Sequence, residues 1–181
     1  ISASLAASKL NIPIFHIEAG LRSYNRSMPE EINRIITDHL SSLLFCPTVN
    51  AVDLLAKEGI SRGVIHSGDV MYDLFMRFGK KVEKNSKAFV LATIHRPINT
   101  DNEDKLASII AGLEEINRTK RVIFPVHPRT LKKIKRINLN TKISLFPPFD
   151  YLEMIKHLIN ADLVITDSGG VQKEAFFAKT K

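Results

Sequence analysis

The 181-residue chain holds one cysteine, Cys46, so it can form neither an internal disulfide nor a multi-cysteine metal site. That residue follows the apolar run Leu43-Leu44-Phe45, where a buried structural thiol of a cytoplasmic protein is the expectation. No apolar run approaches membrane-spanning length, and residues 1–10 lack the charged start and cleavage pattern of a signal peptide. The opening isoleucine reads as the start of a piece of something longer. There are no internal repeats or low-complexity segments, nor a recognised nucleic-acid module. Aromatic residues do not interleave with the basic ones as they do on stacking platforms. The formal charge of +7 therefore reads as solvated helix faces, or as attraction for a phosphorylated small molecule, rather than as a nucleic-acid surface.

What is present is alternation. Strand-like apolar runs at residues 12–17, 42–46, 64–67, 88–94, 121–126, 142–146 and 163–166 are separated by stretches of helical period. Over 30–40, Ile32, Ile35, Ile36 and Leu40 form one apolar stripe, with Glu31, Asn33, Arg34 and Asp38 largely off it. Over 101–117, Leu106, Ile109, Ile110 and Leu113 repeat the pattern. Such alternation predicts an α/β protein with parallel sheets and helices on both faces. The polar, basic stretch 79–87 reads as a linker between two α/β units, 1–78 and 88–181, each read as an incomplete domain.

Two carboxylates stand where sites are usually built. Glu18 falls at the carboxyl end of the first run, before Ala19-Gly20, and Glu30 opens the next helix, with Arg22, Arg26 and Arg34 nearby. Two acids in different surroundings can do opposite proton chemistry, which points to acid–base work on an anionic substrate. Structural roles stand beside these. Glu18 could pair with Arg22, and Ser27-Met28-Pro29-Glu30 fits a capping box with Pro29 in the first turn.

Asp167-Ser168-Gly169-Gly170 joins the run 163–166 to a helix over 171–178. Glycines there admit a ligand to the backbone, and unpaired N–H groups bind phosphate; the alternative is an ordinary glycine loop. Glu174, one turn on, could accept from ribose hydroxyls. His95 and His127 end consecutive runs at the same sheet edge, as His95-Arg96-Pro97 and His127-Pro128-Arg129; each alone reads as a loop or capping residue, but sharing an edge with the Ser-Gly-Gly turn they favour a diphosphate pocket. No third ligand has metal-site spacing, so no metal is expected. Asp69 reads as a helix cap; Met71, Leu74, Phe75, Met76 and Phe78 read as core or interface. His16, His39 and His157 carry no distinct signal.

HIEAGLRS at 16–23, MPEEINR at 28–34, HRPINTDN at 95–102, FPVHPRT at 124–130 and DSGGVQKEA at 167–175 occur in one order. Together they resemble the non-hydrolysing UDP-N-acetylglucosamine 2-epimerase family over nearly the whole chain. The resemblance implies two Rossmann-like domains facing across a cleft (GT-B-like). Residues 1–78 would be the latter part of the N-terminal one, and 88–181 the earlier part of the C-terminal, nucleotide-binding one. It implies conversion of UDP-GlcNAc to UDP-ManNAc by anti elimination and re-addition of UDP, for polysaccharide synthesis. No cofactor is implied, nor nucleic-acid or membrane partners, and a homodimer is admitted. Catalytic roles fall on Glu18, Glu30 and His95. UDP-sugar binding falls on Arg96, His127, Ser168, Gly169, Gly170 and Glu174, with Phe149 facing the uracil. Ile98 stands where the family usually has a glutamate, and the third acid of the family would precede Ile1. A related substrate, UDP-2,3-diacetamido-2,3-dideoxyglucuronate, and a non-catalytic UDP-sugar-binding role are the alternatives.

Overall fold

The computed structural model describes residues 1–85, 89–137, 139 and 141–181. Residues 86–88, where the linker was expected to end and the fourth strand to begin, lie outside them. The chain divides into two compact units, Ile1–Asp73 and Leu74–Lys181.

In the first unit, helix α1 (Ser2–Lys9) leads to strand β1 (Phe15–Ile17), helix α2 (Pro29–Leu40), strand β2 (Leu43–Cys46), helix α3 (Val49–Lys57) and strand β3 (Val64–His66). The strands form a parallel sheet in the order β1-β2-β3, with His16 beside Leu44 and Phe45 beside Ile65. Its core is Ala19, Leu44, Cys46, Ala51 and Leu55, so the lone thiol is buried as its apolar flank implied. Thr48 caps α3 by accepting from the Ala51 N–H.

Helix α2 departs from the expected stripe. The residues it buries are Glu31 and Asp38, while Ile32 is 37% exposed. Seven residues apart, the two acids share a helix face. They are buried because other segments supply hydrogen-bond donors to both. The expected capping box does not form either. Met28 is the N-cap, and the Ser27 hydroxyl turns back to Asn25 at 2.7 Å; Pro29 does occupy the first turn.

Helix α4 (Val70–Gly79) opens with the Met71 N–H donating to Asp69, the expected cap, and runs across the division between the units. Its later residues pack within the second unit. Phe75 lies 5.9 Å from Phe177 and Phe78 meets Tyr151 edge-on at 6.2 Å. Aromatic packing thus puts the division at Asp73–Leu74, ahead of the polar stretch 79–87.

The second unit continues with β4 (Val90–Thr93), α5 (Pro97–Thr100), α6 (Glu103–Asn117), β5 (Val122–Pro125), α7 (Pro128–Arg136), β6 (Ser144–Phe146), α8 (Tyr151–Asn160), β7 (Leu163–Thr166) and α9 (Gly169–Ala178). Its parallel sheet has the order β6-β5-β4-β7. Strands β4 and β5 are buried throughout, as expected of a sheet covered on both faces. Val90, Ala92, Val122 and Phe124 pack with Leu106, Ile110 and Leu113 of α6 on one face. Leu91 and Ile123 pack with Leu158 of α8 and Ala175 of α9 on the other. From β4 the chain steps outward to β5 and β6, then returns to place β7 on the other side of β4. The order therefore reverses between β4 and β7, and in open α/β sheets ligands bind outside the carboxyl ends at such a reversal.

Candidate functional site

The two loops flanking that reversal are bound to each other. Asp167, just after β7, accepts from the backbone N–H of His95 (3.1 Å) and of Arg96 (2.9 Å), and from the Asn99 amide (2.9 Å). Its carboxylate also lies 3.4 Å from His95 Nδ1. Burial pushes the Asp167 carboxyl up, but these donors outweigh it and hold the pKa below the usual carboxylate range. Beneath it, the Thr93 and Thr166 hydroxyls share a 2.6 Å hydrogen bond across β4 and β7. Sequence reasoning used Asp167 only as part of its motif. Its role needs β7 beside β4, a pairing of strands far apart in the chain.

At the same edge Ser168 caps α9, its hydroxyl accepting from the Val171 N–H. Gly169 opens the helix with open space where a side chain would stand. This is a helix N-terminus facing the reversal, with a glycine that leaves room for an anion. His95 and Arg96 are exposed there. His127, also exposed, follows β5 and caps α7 through Nδ1, which accepts from the Arg129 N–H. Phe149, after β6, is half-buried and stacked on His157 with ring centroids 4.3 Å apart.

Glu174 is 7% exposed on α9, beside Tyr151. Burial pushes its carboxyl pKa up, and the Tyr151 hydroxyl offsets this only in part. The Tyr151 hydroxyl is itself pushed up, by burial first and then by Glu174.

In the first unit, Glu18 follows β1 with φ +69°, in the left-handed region, and is half-buried; Glu30 is exposed in the first turn of α2. Arg22 is committed elsewhere. Its Nε and Nη2 each donate to a different oxygen of Glu58 at 2.7 Å, and Nη1 donates to Asp38 at 2.6 Å. Asp38 further receives the Gly20 N–H at 3.2 Å and faces His16 Nδ1 at 2.5 Å. Gly20 has φ +79°, and a Cβ there would stand 2.4 Å from the Ala51 carbonyl oxygen, so only glycine fits. Glu31 accepts from the Ser23 N–H and hydroxyl and from the Tyr24 N–H, fastening the loop to α2. Burial pushes Asp38 and Glu31 up, but their donors outweigh it and both pKa values lie below the ordinary range. The sequence pattern gives Asp38, His16 and Glu31 no part in this buried cluster. The seven-residue spacing of Glu31 and Asp38 was the available signal.

Removing the Asp167 acceptor by Asp167→Ala is expected to cost about 1.5–3 kcal/mol, the range for hydrogen bonds to a charged group. Chemical denaturation of the full-length protein measures it, and a loss under about 0.5 kcal/mol, ordinary for a surface change, would contradict it.

Two parallel sheets linked through helices, an anion-ready helix N-terminus at a chain reversal in the second unit and acids after the first strand of the first unit define a Rossmann-like protein of the GT-B-like class. Residues 1–181 all match the family described as UDP-N-acetylglucosamine 2-epimerase, and the chain belongs to that family. It is 48% identical to a "UDP-N-acetylglucosamine 2-epimerase homolog" of Methanococcus maripaludis, covering 99% of this chain and 54% of the relative. It is also 48% identical to the UDP-2,3-diacetamido-2,3-dideoxy-D-glucuronate 2-epimerase of Pseudomonas aeruginosa, covering 98% of this chain and 52% of the relative. The crystal structure of Methanocaldococcus jannaschii UDP-GlcNAc 2-epimerase in complex with UDP-GlcNAc and UDP matches with TM-score 0.88 and 42% identity. It covers 99% of this chain and 55% of that one. The chain thus spans about half the length of the relatives it matches.

Proposed function

We propose that the full-length protein interconverts UDP-GlcNAc and UDP-ManNAc. The observation that carries this is the reversal between β4 and β7, where Asp167 fastens His95 and Arg96 beside the α9 N-terminus. Such a corner suits a diphosphate: a helix N-terminus stands at one sheet edge, with exposed Arg96 and His95 in the adjoining loop. In this reading Ser168, Gly169 and Gly170 receive the diphosphate, Glu174 the ribose hydroxyls, Phe149 the uracil, and Arg96 and His127 complete the substrate contacts. The second unit is then the earlier part of a nucleotide-binding domain, and the first unit the latter part of the domain that supplies the acids.

The chemistry follows from what those groups can do. A carboxylate takes the C2 proton as the C1–O bond to UDP breaks, leaving a C1–C2 double bond in the sugar and UDP still bound. His95 stabilises charge on the departing diphosphate. Re-addition of UDP at C1 with protonation of C2 from the opposite face gives the epimer. Two faces need two proton carriers, the roles given to Glu18 and Glu30. Electrons balance without a redox partner, so the reading assigns no cofactor, and it places the enzyme in the cytoplasm. No described helix is long and apolar enough to cross a membrane.

The test is NMR of UDP-GlcNAc with full-length protein in deuterated water. Deuterium at C2 together with UDP-ManNAc is the expected result. Binding of UDP-GlcNAc without exchange would overturn this substrate. The diacetamido-uronate sugar then stands next, favoured by the 48% identity to the Pseudomonas relative.

A further inference from the structure

We propose that Asp38 is a positioning residue for Glu18, a role that rests on the epimerase reading above. Three partners of Asp38 bracket Glu18 in the chain. His16 lies two residues before it, Gly20 two after and Arg22 four after, and all reach the one carboxylate. Between these anchors Glu18 holds φ +69°, a conformation a side-chain-bearing residue keeps only where its surroundings over-determine it. The neighbouring Ala19 is fully buried, its N–H donating to the Phe45 carbonyl of β2. The loop therefore has no slack on its strand side, and Asp38 supplies the restraint on its helix side.

Asp38 stands on α2, whose first turn carries Glu30. One carboxylate thus ties the loop of one proposed acid to the helix of the other. Glu31 repeats the attachment at residues 23 and 24. The Asp38 side chain has no exposure and that of Arg22 1%, so this pair is shielded from water. Burying a carboxylate there is costly unless every oxygen is used, and both are: Oδ1 by His16, Oδ2 by Gly20 and Arg22. Among the described residues, Glu58 pairs with Arg22, His39 lies 3.7 Å from Glu58, and the Arg22 charge also acts on Glu31.

Asp38→Asn keeps the volume but loses the charge and one acceptor. In the full-length protein we expect kcat for epimerisation to fall about tenfold to a hundredfold, as when groups supporting a reactive residue are removed. The Kd for UDP, by calorimetry, stays within about twofold, an ordinary tolerance on such a scale. A merely structural role would instead lower the folded fraction and leave kcat per folded molecule unchanged. His16 gives a second route should Asp38→Asn fail to fold, since its side chain is 19% exposed. His16→Leu removes the donor and slows turnover. His16→Asn places an amide N–H near the position of Nδ1 and restores it. Wild-type kcat in His16→Leu, or His16→Asn as slow as His16→Leu, would overturn the proposal. A crystal structure of Asp38→Asn reads the same point without substrate: Glu18 should leave the left-handed region, and an unchanged φ near +69° counts against us. Absence of C2 exchange in the wild type, by contrast, strikes the epimerase reading and leaves the structural comparison standing.

Discussion

Replacing Arg22 with alanine is expected to destabilise the folded protein by about 3–5 kcal/mol, the cost of stranding a buried charge. Its guanidinium donates to both oxygens of Glu58 and to Asp38, and the side chains of Arg22 and Asp38 are essentially inaccessible. Without it, Asp38 keeps only His16 and the Gly20 N–H. Hydrogen bonding by Arg22 holds Glu58 below its usual pKa against burial; burial pushes Asp38 up, and His16 and Arg22 together bring it down. Carboxylates with depressed folded pKa values add stability that is present above their unfolded values, near pH 4, and lost as pH falls through the folded ones. The wild type should therefore lose stability on acidification through and below about pH 4. In Arg22→Ala the same carboxyls titrate higher and gain from protonation, so the gap between the two proteins narrows as pH falls. Urea denaturation at neutral pH and near pH 4 measures both effects. Arg22→Lys should recover only part of the loss, because one ammonium cannot replace a fork that serves two carboxylates. A variant as stable as wild type at neutral pH, or a gap that widens in acid, would contradict the account.

The strands were legible in the sequence as continuous apolar runs; β4 and β5, buried throughout, are the clearest cases, whereas β1 was legible although Phe15 and Ile17 are exposed. The placement of Glu18 after β1, and of His95, His127 and Ser168 along one carboxyl edge, followed from the same pattern once the strands were taken as parallel. What could not be read was partnership. The stripe over α2 counted isoleucines as inward and acids as outward. Yet Asp38 and Glu31 go inward because residues 16, 20 and 22–24 bring donors to them. Those donors belong to another element, and periodicity carries no information about them. Asp167 escaped for the same reason, since its acceptor role depends on β7 lying beside β4 rather than beside β6. The unit boundary differs because polarity marks solvent exposure, while Phe75 and Phe78 record which core α4 joins.

Glu18→Gln should lower the epimerisation rate by about a hundredfold to ten-thousandfold, the usual contribution of a positioned general acid or base. The substitution keeps the shape and hydrogen-bonding reach of the side chain and removes its capacity to carry a proton. Shape matters here, because Glu18 sits in the left-handed region between buried anchors, and a smaller residue would confuse lost chemistry with a relaxed loop. A group acting only on proton transfer changes kcat and kcat/KM together and leaves UDP affinity alone. Deuterium entry at C2 of UDP-GlcNAc should fall in step with turnover where Glu18 is the forward base, and persist without net epimerisation where it serves the opposite face. Glu30→Gln is the informative companion. If the two acids serve opposite faces of C2, each variant blocks net epimerisation. The one that retains the forward base should still release UDP from UDP-GlcNAc and accumulate the unsaturated sugar. Equal rates for wild type and Glu18→Gln would remove Glu18 from the mechanism, whatever its strained backbone suggests. A parallel loss of UDP binding and thermal stability would reassign it to the architecture of the loop.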